Sequence, residues 1–206
     1  KKLKYTQMLD LPPIEQVSCG NDFTVCLSEK LYVYSFGFNS HGQLGYDTKS
    51  NQSTAQRIEL LENIEFIECG GTFTFCKSLN NDIYCWGRNE VGQLGIGNTN
   101  SQCIPVKCIN WPDDIIDIKV GISHTLVLTS TFKVYSCGNN GHGQLGRTTT
   151  NGMSSLLEEI PLVSSIMRID CGDNHSMCTD IDGNLYVFGN NTYGQLGLVI
   201  LKIEIN

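Results

Sequence analysis

Several features that would mark a membrane, secreted or nucleic-acid-binding protein are missing from this sequence. No apolar run approaches the ~20 residues that cross a bilayer, and the first residues lack the apolar stretch of a signal peptide. Acidic residues outnumber basic ones, 21 to 14, whereas non-specific nucleic-acid binding needs a basic surface. The sequence therefore predicts an intracellular protein, cytoplasmic or nuclear, with no membrane span, and direct nucleic-acid binding is not expected.

Paired Cys-x-x-Cys motifs are also absent, although the chain contains ten cysteines. Three pairs share one spacing: Cys19/Cys26, Cys69/Cys76 and Cys171/Cys178. A fourth segment of the same type has Val120 and Val127 in those places, and valine cannot hold a metal or form a disulfide. Free cysteine packs as a small apolar side chain, so we interpret these cysteines as core residues, with structural disulfides and zinc as the alternatives. No metal and no cofactor is predicted.

One tetrapeptide, GQLG, occurs four times, at 42–45, 92–95, 143–146 and 194–197. The copies are 50, 51 and 51 residues apart, and a fixed period of this size indicates a repeat architecture. The segments that end in GQLG align over 27 residues without a gap. The sequence thus predicts a single repeat domain over 1–206, with units at approximately 14–63, 64–114, 115–165 and 166–206, the last one incomplete.

Four polar or small residues recur at fixed places in every unit: an opening glycine, a tyrosine, an asparagine and the glutamine of GQLG. They are Gly20, Tyr34, Asn39 and Gln43; Gly70, Tyr84, Asn89 and Gln93; Gly121, Tyr135, Asn140 and Gln144; and Gly172, Tyr186, Asn191 and Gln195. Glycine permits close contacts or a positive φ, and asparagine and glutamine can bond to backbone groups in a turn. These positions predict one structural corner per unit, not a catalytic motif.

Each unit contains short segments rich in β-branched, aromatic and small apolar residues, such as Val17–Gly20, Phe23–Leu27 and Leu31–Phe36. A further apolar stretch lies in each connection, at Ile58–Leu61 in the first unit and at 104–109 and 156–163 in the next two. About four short antiparallel strands per unit are typical of a propeller blade. The predicted fold class is all-β: a partial β-propeller of about four four-stranded blades.

The units resemble the repeat of the regulator of chromosome condensation family. The resemblance covers residues 14 to 197 and is carried by the GQLG corners with Gly121, His124, Thr125, Trp86, Gly87 and Asn89. Phe23 and Phe73 replace the family's histidine in the first two units, which indicates that this position, and with it His124 and His175, serves packing.

The resemblance implies a ring of seven blades, whereas this sequence contains four units. The residues at 3–9 and 201–205 have the pattern of additional strands. Three arrangements fit: part of a seven-bladed protein, an assembly completed by another copy or another chain, or a smaller closed ring.

Function on a propeller is expected in the loops, where the units differ. The two-residue step after the opening glycine is the most informative of these sites, because it reads Asn21-Asp22 in the first unit and Asp173-Asn174 in the last. His41 and His142, which precede two GQLG corners, are further candidates for partner contacts. No hydrolytic or redox site is visible.

These features predict a protein-interaction module that binds partner proteins through its inter-strand loops. The resemblance implies an alternative, a guanine-nucleotide exchange factor, or part of one, for a Ran-like small GTPase. Asp22 and Asp173 match the place of acidic residues that face the GTPase, where they would compete electrostatically with phosphate and Mg²⁺. An adaptor region of a ubiquitin ligase or kinase is a third alternative.

Overall fold

The structure is a computed structural model that describes residues 7–8, 10–162 and 164–198. Fifteen strands and one 3-10 turn, Thr150–Gly152, lie in this part of the chain. No helix among the described residues has the length and apolarity needed to cross a bilayer. The strands are β1 (Ile14–Cys19), β2 (Phe23–Ser28), β3 (Val33–Gly37), β4 (Gln52–Arg57), β5 (Ile64–Cys69), β6 (Phe73–Ser78), β7 (Ile83–Gly87), β8 (Gln102–Lys107), β9 (Ile115–Val120), β10 (His124–Thr129), β11 (Val134–Asn139), β12 (Met153–Glu159), β13 (Ile166–Cys171), β14 (His175–Asp180) and β15 (Leu185–Gly189).

The strands form four separate antiparallel sheets, each built from strands that follow one another in the chain. Their orders are β1-β2-β3-β4, β5-β6-β7-β8, β9-β10-β11-β12 and β13-β14-β15. The all-β fold class predicted from the sequence is confirmed, with three four-stranded blades and a fourth blade that has three strands in the described residues. The predicted strands at 3–9 and 201–205 fall almost wholly outside the described residues, and residues 7 and 8 belong to no strand.

The outermost strand of the first blade is the element that the sequence misplaces, whereas the apolar stretches at 104–109 and 156–163 overlap β8 and β12. The prediction at Ile58–Leu61 is wrong, because β4 ends at Arg57 and the Leu61 N–H closes a turn onto the Ile58 carbonyl. The strand itself reads QSTAQR and lies at the exposed edge of its sheet, where polar side chains are favoured. Ile58 and Leu61 are instead buried anchors of the connection to the next blade.

The blades pack face to face, as one position on the innermost strand shows. Ile67, Ile118 and Ile169 are 0%, 1% and 5% exposed. Ile67 belongs to a cluster with Phe23 of the preceding blade, and the other two isoleucines lie in clusters of the same kind. Val17 has the same position in the first blade but is 64% exposed. The core therefore consists of the layers between successive sheets, not of one central volume.

The other end of the stack is also open. Val33, Ile83 and Val134 start the third strands of the first three blades and are at most 3% exposed. Leu185 starts the third strand of the fourth blade and is 58% exposed. Within the described residues, the fourth blade therefore does not close onto the first as a smaller ring would require.

The recurrent asparagine and glutamine build the corner between the third and fourth strands. The Asn39 side-chain carbonyl accepts the Leu44 N–H at 2.9 Å, and its amide donates to the carbonyls of Thr48 and Ser50 at 2.8 and 3.1 Å. The Gln43 side-chain carbonyl accepts the His41 N–H at 3.0 Å. Asn89, Asn140 and Asn191, with Gln93, Gln144 and Gln195, make the equivalent contacts to the leucine N–H and to the N–H two residues before the glutamine.

The first three corners also bind the next blade. The Gln43 backbone carbonyl accepts the indole N–H of Trp86 at 2.8 Å and the Thr74 hydroxyl at 3.2 Å, both from the second blade. The Gln93 and Gln144 carbonyls accept hydroxyls from Thr125 and Ser176 in the same way, each at 2.8 Å. The GQLG segment therefore joins two blades as well as two strands.

The opening glycines are required by an aromatic ring three residues further along the chain. A Cβ on Gly20 would lie 1.9 Å from the Phe23 ring, and one on Gly121 would lie 2.2 Å from the His124 ring. Gly70 and Gly172 meet Phe73 and His175 equivalently. The obstacle is thus the ring of the second strand of the same blade, with the neighbouring Gly172 carbonyl adding a contact only at Gly121. The recurrent tyrosines Tyr34, Tyr84, Tyr135 and Tyr186 are all half-buried.

Candidate protein-interaction face

Two sets of loops lie at the same end of every blade. Since successive strands are antiparallel, the turn after the first strand and the long loop after the third strand both emerge at this end. The Phe38 N–H donates to the Asp22 carbonyl at 2.8 Å, and the Asn190 N–H donates to the Asn174 carbonyl at 2.9 Å. We call this end the corner face; it comprises residues 20–22, 38–51, 70–72, 88–101, 121–123, 140–152, 172–174 and 190–198.

The short turns of the corner face are linked to one another by backbone hydrogen bonds. The Asn21 N–H donates to the Gly71 carbonyl at 3.0 Å, the Gly71 N–H to the Gly121 carbonyl at 3.4 Å, and the Ile122 N–H to the Asp173 carbonyl at 3.0 Å. The turns surround a cavity of about 200 Å³ that is lined by Asn21, Ile122 and Asp173 among others. Side chains from blades that are distant in sequence therefore meet around one opening.

The predicted contact residues of these turns do not all occupy the same place. Asn21 and Asp173 are exposed and line the cavity. Asp22 is exposed and Asn174 is half-buried, and neither lines it. The structure therefore brings Asn21 and Asp173 together and leaves Asp22 on the corner face beside the loop that begins at Phe38.

The two predicted histidines lie further out, in the GQLG corners. His41 is half-buried and His142 is exposed, and each gives its backbone N–H to the glutamine two residues later. They sit in different blades. The hydrogen bond from Arg88 lowers the pKa of the Glu90 carboxyl in the second blade, and the charge of His41 makes a smaller contribution in the same direction.

A charged group between the first two corners was not predicted from the sequence. The Arg88 guanidinium and the Glu90 carboxylate form an ion pair with an N–O distance of 2.6 Å. Lys49 from the first blade also lowers the pKa of Glu90. The residue types at these positions differ from unit to unit, so the repeat could not predict the ion pair. The only sequence signal was that these residues lie in loops of the same face.

The buried titratable groups beneath the corner face are suited to packing and not to catalysis. Burial raises the pKa of Cys69 to about 12 and that of Cys171 well above its usual value, so both thiols stay protonated. Burial lowers the pKa of His124 to about 4, and its Nε2 lies 2.9 Å from the Ser176 hydroxyl. All ten cysteines are free thiols. Among the described residues, no three histidine, cysteine or acidic side chains are grouped as metal ligands.

Four antiparallel sheets stacked face to face, with one GQLG corner binding each sheet to the next, define a repeat β-propeller whose variable positions lie in its loops. The chain belongs to the RCC1-like domain family, whose model matches residues 1–204.

Known proteins are similar to this chain over only part of their own length. The human X-linked retinitis pigmentosa GTPase regulator is 43% identical over 190 residues, covering 90% of this chain and 18% of that protein. The mouse serine/threonine-protein kinase Nek9 is 31% identical over 216 residues, covering 95% of this chain and 22% of that protein. Yeast RCC1 (Prp20), solved bound to Kap60, matches with a TM-score of 0.82 at 21% identity, covering 95% of this chain and 48% of the solved one, and this likeness establishes the fold. The chain thus spans about a fifth of these relatives and about half of that propeller.

Proposed function

We propose that the chain is a protein-interaction module that binds partner proteins through its corner face. One observation carries the proposal: the backbone of this face repeats from blade to blade, while the side chains that it presents around the axial cavity differ. Asn21, Ile122 and Asp173 are presented there on turns tied by the same type of hydrogen bond. A fixed frame with variable side chains is the usual basis of loop-mediated recognition. The similarity to yeast RCC1, which was solved bound to Kap60, is further support.

The test compares partner capture by matched variants. Asn21→Ala combined with Asp173→Ala alters the rim of the cavity. Both side chains are exposed, so the double variant is expected to fold normally. The control is Thr54→Ala, an exposed position on the outer strand β4. Proteins retained by the wild type and the control but lost by the double variant, identified by quantitative mass spectrometry and then measured as purified pairs, support the proposal. Identical capture by all three proteins contradicts it.

A second candidate is nucleotide exchange on a Ran-like small GTPase. The observation that favours it is the presence of two exposed carboxylates, Asp22 and Asp173, on the corner face. A structural relative, Prp20p of Saccharomyces cerevisiae, was solved in a study of its binding to Gsp1p and histones; it has a TM-score of 0.81 at 22% identity. A carboxylate placed against a nucleotide site weakens phosphate and Mg²⁺ binding by like-charge repulsion and competition for the cation.

Release of a fluorescent GDP analogue from a Ran-type GTPase tests this candidate. The chain is expected to speed release, and Asp22→Asn and Asp173→Asn, which keep side-chain size, are expected to slow it again. Thr54→Ala is the control, because Thr54 is exposed on the outer strand β4, away from the corner face. If release is as slow with the chain as without it, the exchange function is excluded, while the interaction proposal is judged by the capture experiment.

A further inference from the structure

The end of the stack opposite the corner face carries a row of exposed apolar side chains. This end is formed by the hairpins that join second and third strands and by the connections between blades. Leu60, Ile109 and Ile181 are 64%, 68% and 67% exposed, and Leu79 and Phe132 are also exposed. We call this end of the stack, with its hairpins and connections, the hairpin face.

Backbone hydrogen bonds join neighbouring segments of the hairpin face. The Leu79 N–H donates to the Asn63 carbonyl at 2.9 Å, which sets the second hairpin beside the connection that holds Leu60. The connection that holds Ile109 ends at Asp114, whose carbonyl accepts the Ser130 N–H of the third hairpin at 2.8 Å. The Phe132 carbonyl and the Ser165 carbonyl accept N–H groups at 3.0 and 3.1 Å, linking the third and fourth hairpins through one connection.

The negative charge of the chain is concentrated at this end. The segments 29–32, 58–63, 79–82, 108–114, 130–133, 160–165 and 181–184 contain seven acidic and two basic residues. One of the two bases, Lys133, is paired with Glu159 at 2.9 Å, and two of the seven acids, Glu59 and Asp82, are paired with Arg57 and Lys107 of the adjoining strands at 3.4 and 2.8 Å. The corner face, over its own segments, contains four acidic and three basic residues. Carboxylates stand close to the apolar side chains in sequence: Glu62 near Leu60, Asp113 near Ile109, and Asp182 next to Ile181.

Two apolar residues at this end, Leu31 and Phe132, occupy a backbone position that suits other residue types. Each has a φ of 63°, whereas the same hairpin position holds Asn81 at 64° in the second blade and Gly183 at 82° in the fourth. Asparagine and glycine accept this left-handed conformation readily, whereas a bulky side chain is strained in it. Phe132 remains 39% exposed, so burial within the chain does not account for the choice.

The geometry points to the hairpin face as a second docking surface, whose occupant is a protein segment that carries large apolar side chains flanked by lysine or arginine. Apolar anchors would cover the exposed row, and the basic groups would meet the surrounding carboxylates, which is the complementarity that steers and orients association. This inference rests on the proposed function only in treating the chain as an interaction module, and it uses the opposite end of the stack.

Selection from a random library of peptides of about sixteen residues tests the proposal. Peptides recovered on the chain are expected to be basic and to contain at least two large apolar residues, with affinity that falls as salt is raised. Phe132→Asn is expected to weaken their binding by about tenfold while thermal stability stays equal or rises, since Asn81 occupies the same conformation in the second blade. The combined reversal Glu62→Lys with Asp113→Lys is expected to weaken binding without removing an apolar contact.

Two controls separate this surface from others. Ile104→Asn removes an apolar side chain of similar exposure on the outer strand β8, and Asn21→Ala with Asp173→Ala alters the corner face; both are expected to bind the peptides normally. Recovery of neutral or acidic peptides, recovery of none, or binding that survives the hairpin-face variants would overturn the proposal. So would sedimentation or vesicle-binding data in which Phe132→Asn abolishes self-association or membrane binding instead of peptide binding.

Discussion

Replacement of His124 by phenylalanine should remove a defined part of the acid sensitivity of this fold. Burial, with a smaller contribution from His175, lowers the pKa of His124 from 6.5 to about 4. Between pH 6.5 and pH 4, His124 is protonated in the unfolded chain but stays neutral in the native protein, so the stability falls as the pH is lowered. Below pH 4 this contribution to stability no longer changes. At about 1.4 kcal/mol per pKa unit, this gap corresponds to at most about 3 kcal/mol.

The variant is compatible with the site because Phe23 and Phe73 fill the same position in the first two blades. The hydrogen bond from His124 Nε2 to the Ser176 hydroxyl would be lost, at a cost of about 1 kcal/mol. Ser176 keeps its donation to the Gln144 carbonyl at 2.8 Å, and the buried Nδ1, which has no partner among the described residues, is removed. At neutral pH, stability should therefore stay within about 1 kcal/mol of the wild type.

Urea unfolding of both proteins near pH 7 and near pH 4.5 measures the effect as a double difference. His124→Phe should lose about 2 kcal/mol less than the wild type between these conditions, because all other titrating groups are shared. Thr54→Ala, at an exposed position that carries no titrating group, should behave as the wild type. Equal losses of unfolding free energy in the wild type and His124→Phe would refute the argument that the buried neutral histidine causes this acid sensitivity.

Three further outcomes follow from contacts described above. In urea unfolding, Gly92→Ala should be more destabilising than Gly143→Ala by about 2 kcal/mol. Both glycines have a φ near +80°, but only a Cβ at position 92 would meet backbone atoms, 2.4 Å from the Ser155 Cα. Equal losses of stability in the two variants would contradict this prediction. Glu68→Gln should flatten the dependence of the unfolding free energy on pH between about pH 5 and pH 8. Burial raises the pKa of Glu68 to about 7, so its carboxyl ionises in the unfolded chain first, and the wild type loses about 1 kcal/mol of stability as the pH rises. An unchanged slope would count against this prediction. A thiol reagent should modify Cys19, the one exposed cysteine, before the others, and Cys19→Ser should remove this fast phase; fast labelling that persists in Cys19→Ser would show that another thiol is open.

The repeat could be predicted closely from the sequence because its recurring residues have local tasks. Asn39 and Gln43 bond within a few residues of themselves, so their roles can be inferred from the chain alone. The inner three strands of each blade could be predicted equally well, because their apolar residues pack in the layers between sheets and so give these segments a clear apolar pattern. The outer strand was misplaced at Ile58–Leu61, because its exposed edge has no apolar pattern while the adjoining turn does.

The contacts between blades could not be inferred in this way. The Trp86 indole N–H reaches the Gln43 carbonyl across 43 residues, and nothing local to either residue indicates the pairing. Likewise, the convergence of Asn21 and Asp173 on one cavity depends on how the sheets are stacked about their axis. An alignment of the four units gives no information at positions that vary among them. The Arg88–Glu90 pair and the exposed apolar side chains of the hairpin face stand at such positions.

The glutamine carbonyls give the stack a direction. In the first three units this carbonyl accepts a hydroxyl from the blade that follows in the chain. Removal of a following unit would therefore leave that carbonyl without its donor and an apolar blade face uncovered. A truncation is consequently expected to weaken the unit that precedes the cut, and not only to shorten the array.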